Sequence, residues 1–276
     1  MTRVVEAAPA KINLALHVRA RRDDGYHELE TLFAFLRDGD SVTVEEATED
    51  SFTLTGPFGE LLSGEGDNLV LGARDAFLAV HGPLPPLAIT LDKLLPIASG
   101  IGGGSADAAA TLRALAELKG IEPAALTGIA LDLGSDVPAC LLGHSAIGEG
   151  RGERLQIVEG LTDIPVLLVN PGVAVSTGAV FRGWDGIDRG AMPAGDPLDI
   201  ALAARNDLEA PARAIAPVIG DVIDLLSAQP GAILARMSGS GATCFALFAS
   251  EAARAAARRA VVAAQPDWWC LESTLA

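Results

Sequence analysis

Four glycines fall between residues 100 and 104 of the segment Ser99-Gly-Ile-Gly-Gly-Gly-Ser105. Glycine lacks a Cβ, so an anion can approach the backbone amides there, and the run that follows reads as a helix whose first N–H groups have no partner inside it. That is the chemistry of an oxyanion or phosphate cradle. It is not a Walker A loop, because no Lys-Ser or Lys-Thr closes it, and not GxGxxG, because Ser105 stands where the last glycine belongs. A flexible connector packed on a neighbouring helix would use the same glycines. Any phosphate-binding lysine must come from elsewhere, and lysine is scarce: only Lys11, Lys93 and Lys119 among 20 basic residues. Lys11 shares the polar side of an alternating segment with Asn13, where it could serve a phosphate or simply face solvent. Asp136, just before Val137-Pro138, reads as a helix N-cap or as a base. Tyr26 and His27 follow a turn, where an aromatic could stack on a base or cover the core. The Ser238-Gly-Ser-Gly241 turn could offer amides to an acceptor or be a tight hairpin.

The elements that must position these residues follow from periodicity. Residues 11 to 18 alternate, with Ile12, Leu14, Leu16 and Val18 opposite Lys11, Asn13, Ala15 and His17, which predicts a half-buried strand. Asp23-Asp24-Gly25 supplies hairpin-turn chemistry, and strands are expected at 29–36, 42–45, 52–55 and 87–91. A helix is predicted over 69–81 and a second over 106–119, with Ser105 as N-cap, Asp107 adding negative charge to its first turn and Gly120 closing it. Pro123 and Gly134 bracket a short helix, and Ser135-Asp136-Val137-Pro138 opens another. Residues 166–170 read as a buried strand, 171–197 as mostly loop, and 198–214 and 217–228 as helices. Strands at 233–237 and 243–248, a helix capped by Ser250 and a strand near 268–271 end the chain. The predicted class is α+β, with domains at 1–158 and 159–276.

Composition narrows the function. The 276 residues are 50% hydrophobic and carry a formal charge of −16, with acids in excess in both halves. A nucleic-acid partner is not expected, because binding a phosphate backbone takes clustered Lys and Arg. Any anionic ligand must be held locally. Three cysteines without CxxC spacing argue against a disulfide framework or zinc ribbon, and four scattered histidines give no metal-site spacing, so no side-chain metal site is expected. The longest uncharged run, 165–181, is broken by Asn170, Pro171, Gly172 and Gly178 and cannot span a membrane. A cytoplasmic protein that meets neither membrane nor nucleic acid, acts on a small molecule and works as a monomer or weak homodimer is expected.

Taken in order, Pro9-Ala-Lys-Ile-Asn-Leu14, Asp24-Gly-Tyr-His-Glu28, Leu95-Pro-Ile-Ala-Ser-Gly-Ile-Gly-Gly-Gly-Ser-Ala-Asp107, Gly134-Ser-Asp-Val-Pro138, Asn206-Asp-Leu-Glu209 and Ser238-Gly-Ser-Gly241 resemble the GHMP kinases over nearly the whole chain. Within that superfamily the first two motifs resemble the branch that phosphorylates the tertiary 2-hydroxyl of a cytidine diphosphate-linked methylerythritol, in the non-mevalonate route to isoprenoids. The resemblance implies a two-domain α+β fold, with a ribosomal-protein-S5-like N-terminal domain that binds ATP and a ferredoxin-like C-terminal domain. It implies ATP accompanied by Mg²⁺, with Pro96, Ala98, Ser99, Gly100, Ile101, Gly102, Gly103, Gly104, Ser105, Ala106 and Asp107 binding the nucleotide. It implies that Asp136 is the base and Lys11 its neighbour. Tyr26 and Phe181 would stack on the cytosine, His27 would hydrogen-bond it, and Asn13 and Thr177 would line the acceptor pocket. Two positions depart from the pattern: Ile101 replaces a leucine, and Ala106 replaces a second serine, which leaves Ser105 the one hydroxyl between Gly102 and Asp107. The rival readings are a homoserine- or mevalonate-type kinase of the same superfamily, and a non-catalytic nucleotide or metabolite sensor. A serine hydrolase is weaker still, because Ile147 occupies the second glycine position of a nucleophile elbow begun at Gly143-His-Ser145.

Overall fold

The computed structural model describes residues 2–62 and 68–276. Two compact units emerge, one from Met1–Ala10, Asp38–Ile97 and Gly102–Gly143, the other from Lys11–Arg37, Ala98–Ile101 and His144–Ala276. Both units draw on two long paired strands, β1 (Arg3–Arg21) and β2 (His27–Glu46). The segments expected at 29–36 and 42–45 are therefore one strand. Asp38-Gly39-Asp40 looks like a turn in sequence, yet glycine is present for a close approach: a Cβ at Gly39 would strike the Ala8 carbonyl oxygen.

In the first unit Ser41–Glu46 of β2 pairs antiparallel with β4 (Leu87–Asp92), and β3 (Ser51–Thr55) runs parallel to β4. The alternating burial of β4 gives this sheet one core face, filled by Leu87, Ile89 and Leu91. Helix α1 (Leu69–His81) starts where Asn68 Oδ1 accepts the Val70 N–H at 2.9 Å, and it buries Val70, Ala73 and Phe77. It packs on α2 (Gly103–Lys119), an alanine-rich helix that other helices can approach closely. The expected cap at Ser105 is corrected: α2 begins two residues earlier, with left-handed Gly102 (φ 68°) at the N-cap position and Ser105 inside the first turn. Asp107 lies beyond that turn and is buried, so it does not supply the first-turn charge expected of it. Gly120 (φ 70°) closes the helix as predicted. A 3₁₀ turn (Pro123–Leu126), α3 (Thr127–Leu133) and α4 (Val137–Leu142) complete the unit.

In the second unit Leu29–Phe33 of β2 pairs with β5 (Ala146–Gly150), which pairs with β6 (Arg154–Ile157). Neither short strand is evident from sequence. A separate four-stranded antiparallel sheet has the order β10 (Trp269–Thr274), β7 (Pro165–Asn170), β9 (Cys244–Phe248), β8 (Ala232–Met237). With α8 (Val218–Ser227) between β7 and β8 and α9 (Glu251–Ala264) between β9 and β10, this is the βαββαβ ferredoxin-like arrangement. Its core joins Leu167, Val169, Phe248, Ile219, Val222 and Val261. Residues 171–197 are not all loop: α5 (Thr177–Arg182) forms where Ser176 Oγ accepts the Ala179 N–H. The single helix expected over 198–214 is two, α6 (Pro197–Ala203) and α7 (Glu209–Ile215), because Asn206 Oδ1 takes the Leu208 N–H in the gap between them.

Candidate active site

The polar side of β1 is buried, which corrects the half-solvated strand expected from its alternation. Lys11, Asn13 and His17 expose 2%, 3% and 1% of their surface. Buried polar groups need partners, and these have them. Lys11 Nζ donates to Asn13 Oδ1 at 3.0 Å and lies 5.2 Å from the centre of the Phe33 ring. Asn13 Nδ2 donates to Thr31 Oγ1 at 2.8 Å, and that hydroxyl donates to the Ala15 carbonyl at 2.7 Å. The amide orientation and ammonium position are thus set by adjacent strands. Arg236, which nothing in the sequence marks, supports β1 from behind by donating to the carbonyls of Leu14, Ala201 and Ala204.

The glycine segment is divided between the units. Its first part, Ala98–Ile101, is fixed to the Ser238–Gly241 turn of the second unit: Ser238 Oγ donates to the Gly100 carbonyl at 2.9 Å, and the Thr243 N–H donates to the Ser99 carbonyl at 3.1 Å. Gly100 has φ +77°, and a Cβ there would sit 2.7 Å from the carbonyl oxygens of both Ser238 and Gly241. Only glycine fits. The Lys11 N–H donates to the Ile101 carbonyl, and Ser238 Oγ also accepts the Asn13 N–H at 3.2 Å. Lys11, Asn13 and the loop are therefore positioned by one fully buried serine. The turn is itself held by Asn206, whose Nδ2 donates to the carbonyls of Met237 and Gly239 at 2.9 and 2.8 Å, while Asp207 Oδ2 accepts the Val18 N–H at 2.9 Å. The Asn206-Asp207 pair is scaffold; its sequence signal is the break it makes in a helical pattern.

The second part of the segment, Gly102–Asp107, opens α2 in the first unit. No side chain caps the helix at Gly102, and its first intrahelical bond is Ala106 N–H to the Gly102 carbonyl, so the amides of Gly103, Gly104 and Ser105 lie ahead of the helical ladder. Gly104 is exposed and Gly103 and Ser105 are half-exposed. Behind them is a buried ion cluster that sequence reasoning missed: Lys93 Nζ donates to Asp40 Oδ2 at 2.5 Å and to Asp107 Oδ2 at 2.7 Å. Burial alone would lower the Lys93 pKa, but the Asp107 and Asp40 carboxylates outweigh it and hold the ammonium above its ordinary value. Burial also pushes the Asp107 carboxyl up to about 7, against the downward pull of Lys93 and with help from Asp40. Asp136, half-buried, occupies the N-cap position of α4, where its carbonyl accepts the Cys140 N–H at 3.0 Å and its side chain makes no capping hydrogen bond. Arg113 of α2 donates to the Cys140 carbonyl of α4 and to Glu6, which ties the helix carrying Asp136 in place.

The remaining expected residues belong to the second unit. Tyr26 is 49% exposed, with the Arg151 guanidinium 4.8 Å from its ring centre. His27 is half-buried, its ring 5.0 Å from that of Phe181 and 5.8 Å, edge-on, from that of Trp184. Burial and then the Arg21 charge lower the His27 pKa, so the neutral imidazole prevails at neutral pH. Its Nε2 is buried with no hydrogen-bond partner. Thr177 is exposed at the start of α5 and its hydroxyl lies 2.9 Å from Ser240 Oγ. Pro96 precedes the segment in the first unit. Ala106 is buried in the first unit. Among the described residues no group of three or more His, Cys, Asp or Glu side chains is disposed to hold a metal, and no helix is long and apolar enough to cross a membrane.

Comparison with known proteins places this geometry in a family. Residues 68–144 match the GHMP kinases N terminal domain and residues 189–267 the GHMP kinases C terminal. A 4-diphosphocytidyl-2-C-methyl-D-erythritol kinase of Rhizorhabdus wittichii is 57% identical over 98% of this chain and 94% of its own, and one from Agrobacterium fabrum is 46% identical over 97% and 95%. A crystal structure of 4-(cytidine 5'-diphospho)-2C-methyl-D-erythritol kinase is 36% identical, with TM-score 0.79 over 99% of both chains. Homoserine kinase from Cytophaga hutchinsonii, at 18% identity and TM-score 0.75 over 100% of this chain and 95% of that one, shares the fold. The chain belongs to the GHMP kinase family.

Proposed function

We propose that this GHMP kinase transfers the γ-phosphoryl group of ATP to the 2-hydroxyl of 4-diphosphocytidyl-2-C-methyl-D-erythritol, giving the 2-phosphate and ADP. The observation that carries the acceptor assignment is His27: a neutral imidazole beside Phe181, one residue after exposed Tyr26, with a buried Nε2 that lacks a partner. A pyrimidine offers both a ring to stack on aromatic side chains and edge groups to pair with that nitrogen. Homoserine and mevalonate offer neither. Full-length identity of 57% and 46% to relatives bearing this kinase's name supports the same reading. With it goes a division into an ATP-binding domain at 1–158 and a C-terminal domain at 159–276.

Phosphoryl transfer asks for positioning and neutralisation of charge more than for covalent help. In this reading the amides of Gly103, Gly104 and Ser105, at the positive end of a 17-residue helix, hold phosphate oxygens within a protein of net charge −16. Asp136 receives the proton of the acceptor hydroxyl, and the Lys11 ammonium, oriented by Asn13, offsets charge at the developing alkoxide. Asn13 and Thr177 line the acceptor side. Mg²⁺, when bound, would screen charge on the triphosphate. The protein acts in the cytoplasm as a monomer or weak homodimer, without nucleic-acid partners.

The test is an acceptor panel with purified protein and ATP. ADP release with the cytidylyl substrate, and none with homoserine or mevalonate, is expected. The opposite pattern would reassign the acceptor, and nucleotide binding without turnover of any acceptor would favour a sensor.

A further inference from the structure

The Lys93 cluster lies where the glycine segment leaves and rejoins the body of the first unit. Lys93 opens the segment and Asp107, 14 residues later, ends it. Both meet at Asp40 of β2, directly through Lys93 Nζ and indirectly through the Lys93 to Asp107 contact. Asp40 Oδ1 also accepts the N–H groups of Leu94 and Leu95 at 2.6 and 2.8 Å, so the first residues past Lys93 are bound to the same carboxylate. Lys93 Nζ stands 3.0 Å from the place a Cβ would take on Gly103, beneath the first turn of α2. Lys93 and Asp40 are 2% and 3% exposed, and Asp107 is 2% exposed. A cation beneath a helix N-terminus is disfavoured by the helix dipole unless something compensates it, which the two carboxylates do. Of the other charged groups on α2 and the helices packed against it, Arg74 pairs with Asp75, Arg113 pairs with Glu6, and Lys119 donates to the Gly82 and Pro83 carbonyls.

We propose that Asp40, Lys93 and Asp107 form a clasp that closes the nucleotide loop at its two ends, and that Lys93 and Asp107 are positioning residues for the α2 amides that receive the phosphates. The proposal rests on reading residues 99–107 as the nucleotide loop. Closing a loop of this length removes conformational freedom before the ligand arrives, so the binding energy need not order it. Because the clasp is buried, its effect is little screened by salt. None of its three carboxylate or ammonium groups needs to touch substrate for this.

Asp107→Leu cuts the clasp and leaves the neutral Lys93–Asp40 pair, whereas Asp107→Asn keeps an oxygen that Lys93 can reach. ADP affinity measured by titration calorimetry is expected to fall at least tenfold in Asp107→Leu and at most threefold in Asp107→Asn. The KM for ATP should rise with the affinity loss while the KM for the acceptor stays put, and raising salt from 50 to 500 mM should not change the ratio between variants. If Asp107→Leu does not fold, Asp107→Ser, too short to reach Lys93, takes its place with the same expectation. A folded Leu or Ser variant that binds ADP like the wild type, or an Asn variant as impaired as the Leu variant, would overturn the clasp. Wild-type protein that binds neither ADP nor ATP would instead overturn the nucleotide reading itself.

Discussion

Two lysines, one in each unit, are equally hidden at 2% exposure, yet their surroundings differ in kind. Lys93 sits between two carboxylates at 2.5 and 2.7 Å; Lys11 donates to a neutral amide oxygen at 3.0 Å and lies over an aromatic face. Burial alone therefore does not distinguish the two cations. An ammonium enclosed by two carboxylates serves the fold, and removing it strands two buried negative charges. The Asn13 amide oxygen and the Phe33 ring orient the Lys11 ammonium.

The largest way to break this contrast is Lys93→Met, which should cost about 3–5 kcal/mol of stability by leaving Asp40 and Asp107 uncompensated. Chemical denaturation reads it directly, and a loss under 1 kcal/mol would refute the structural role. Lys11→Met keeps its apolar stem against Phe33 and should stay folded while kcat falls about 10²–10³-fold, the scale of losing one oriented charge-stabilising donor. If instead Lys11→Met lost its fold and the remaining folded enzyme turned over normally, the contrast would be reversed.

A smaller effect sharpens the comparison through pH. The Asp107 carboxyl titrates near 7 when folded and near 4 when unfolded, so between those values the folded state holds a proton that the unfolded chain has lost. Its contribution to stability is largest below pH 4 and declines as pH rises to 7. Between pH 5 and 7 the wild type should lose about 2 kcal/mol relative to Asp107→Asn, in which that group no longer titrates. Parallel stability curves for the two proteins would show that the cluster does not titrate this way. The smallest effect is on the acceptor: His27→Ala should raise the acceptor KM about tenfold, roughly one charge-free hydrogen bond, with the KM for ATP unchanged.

Much of this was legible in the sequence where local rules and tertiary packing agree. Helix α1 was placed at both ends, and the ferredoxin-like strands were found because their apolar runs are bounded by turn residues. The glycine segment stands out in the sequence, and Gly100 accounts for part of it by packing against the Ser238 and Gly241 carbonyls. The start of α2 was not, because a left-handed Gly102 took the N-cap position that Ser105 would have filled by propensity. The continuity of β2 was hidden by Asp38-Gly39-Asp40, a turn signature in which Gly39 clears the Ala8 carbonyl and Asp40 reaches Lys93. Lys11 and Asp136 stand out in the sequence through motif resemblance. Lys93, Asp40 and Arg236 do not, and Ser238 stands out only as part of a turn, because what each does depends on partners far away in the chain: Ser238 on Asn13 and Gly100, and Arg236 on Leu14. Scarcity was the one hint, since each of the three lysines proves to be engaged, Lys119 through the Gly82 and Pro83 carbonyls.

The proposed division of labour between a nucleotide loop and the residues that would act on the acceptor is tested most directly by Asp136→Asn under single-turnover conditions with ATP and 4-diphosphocytidyl-2-C-methyl-D-erythritol. ADP affinity within twofold of wild type together with phosphoryl transfer slowed at least a thousandfold is the predicted result. Transfer within tenfold of wild type would contradict the account.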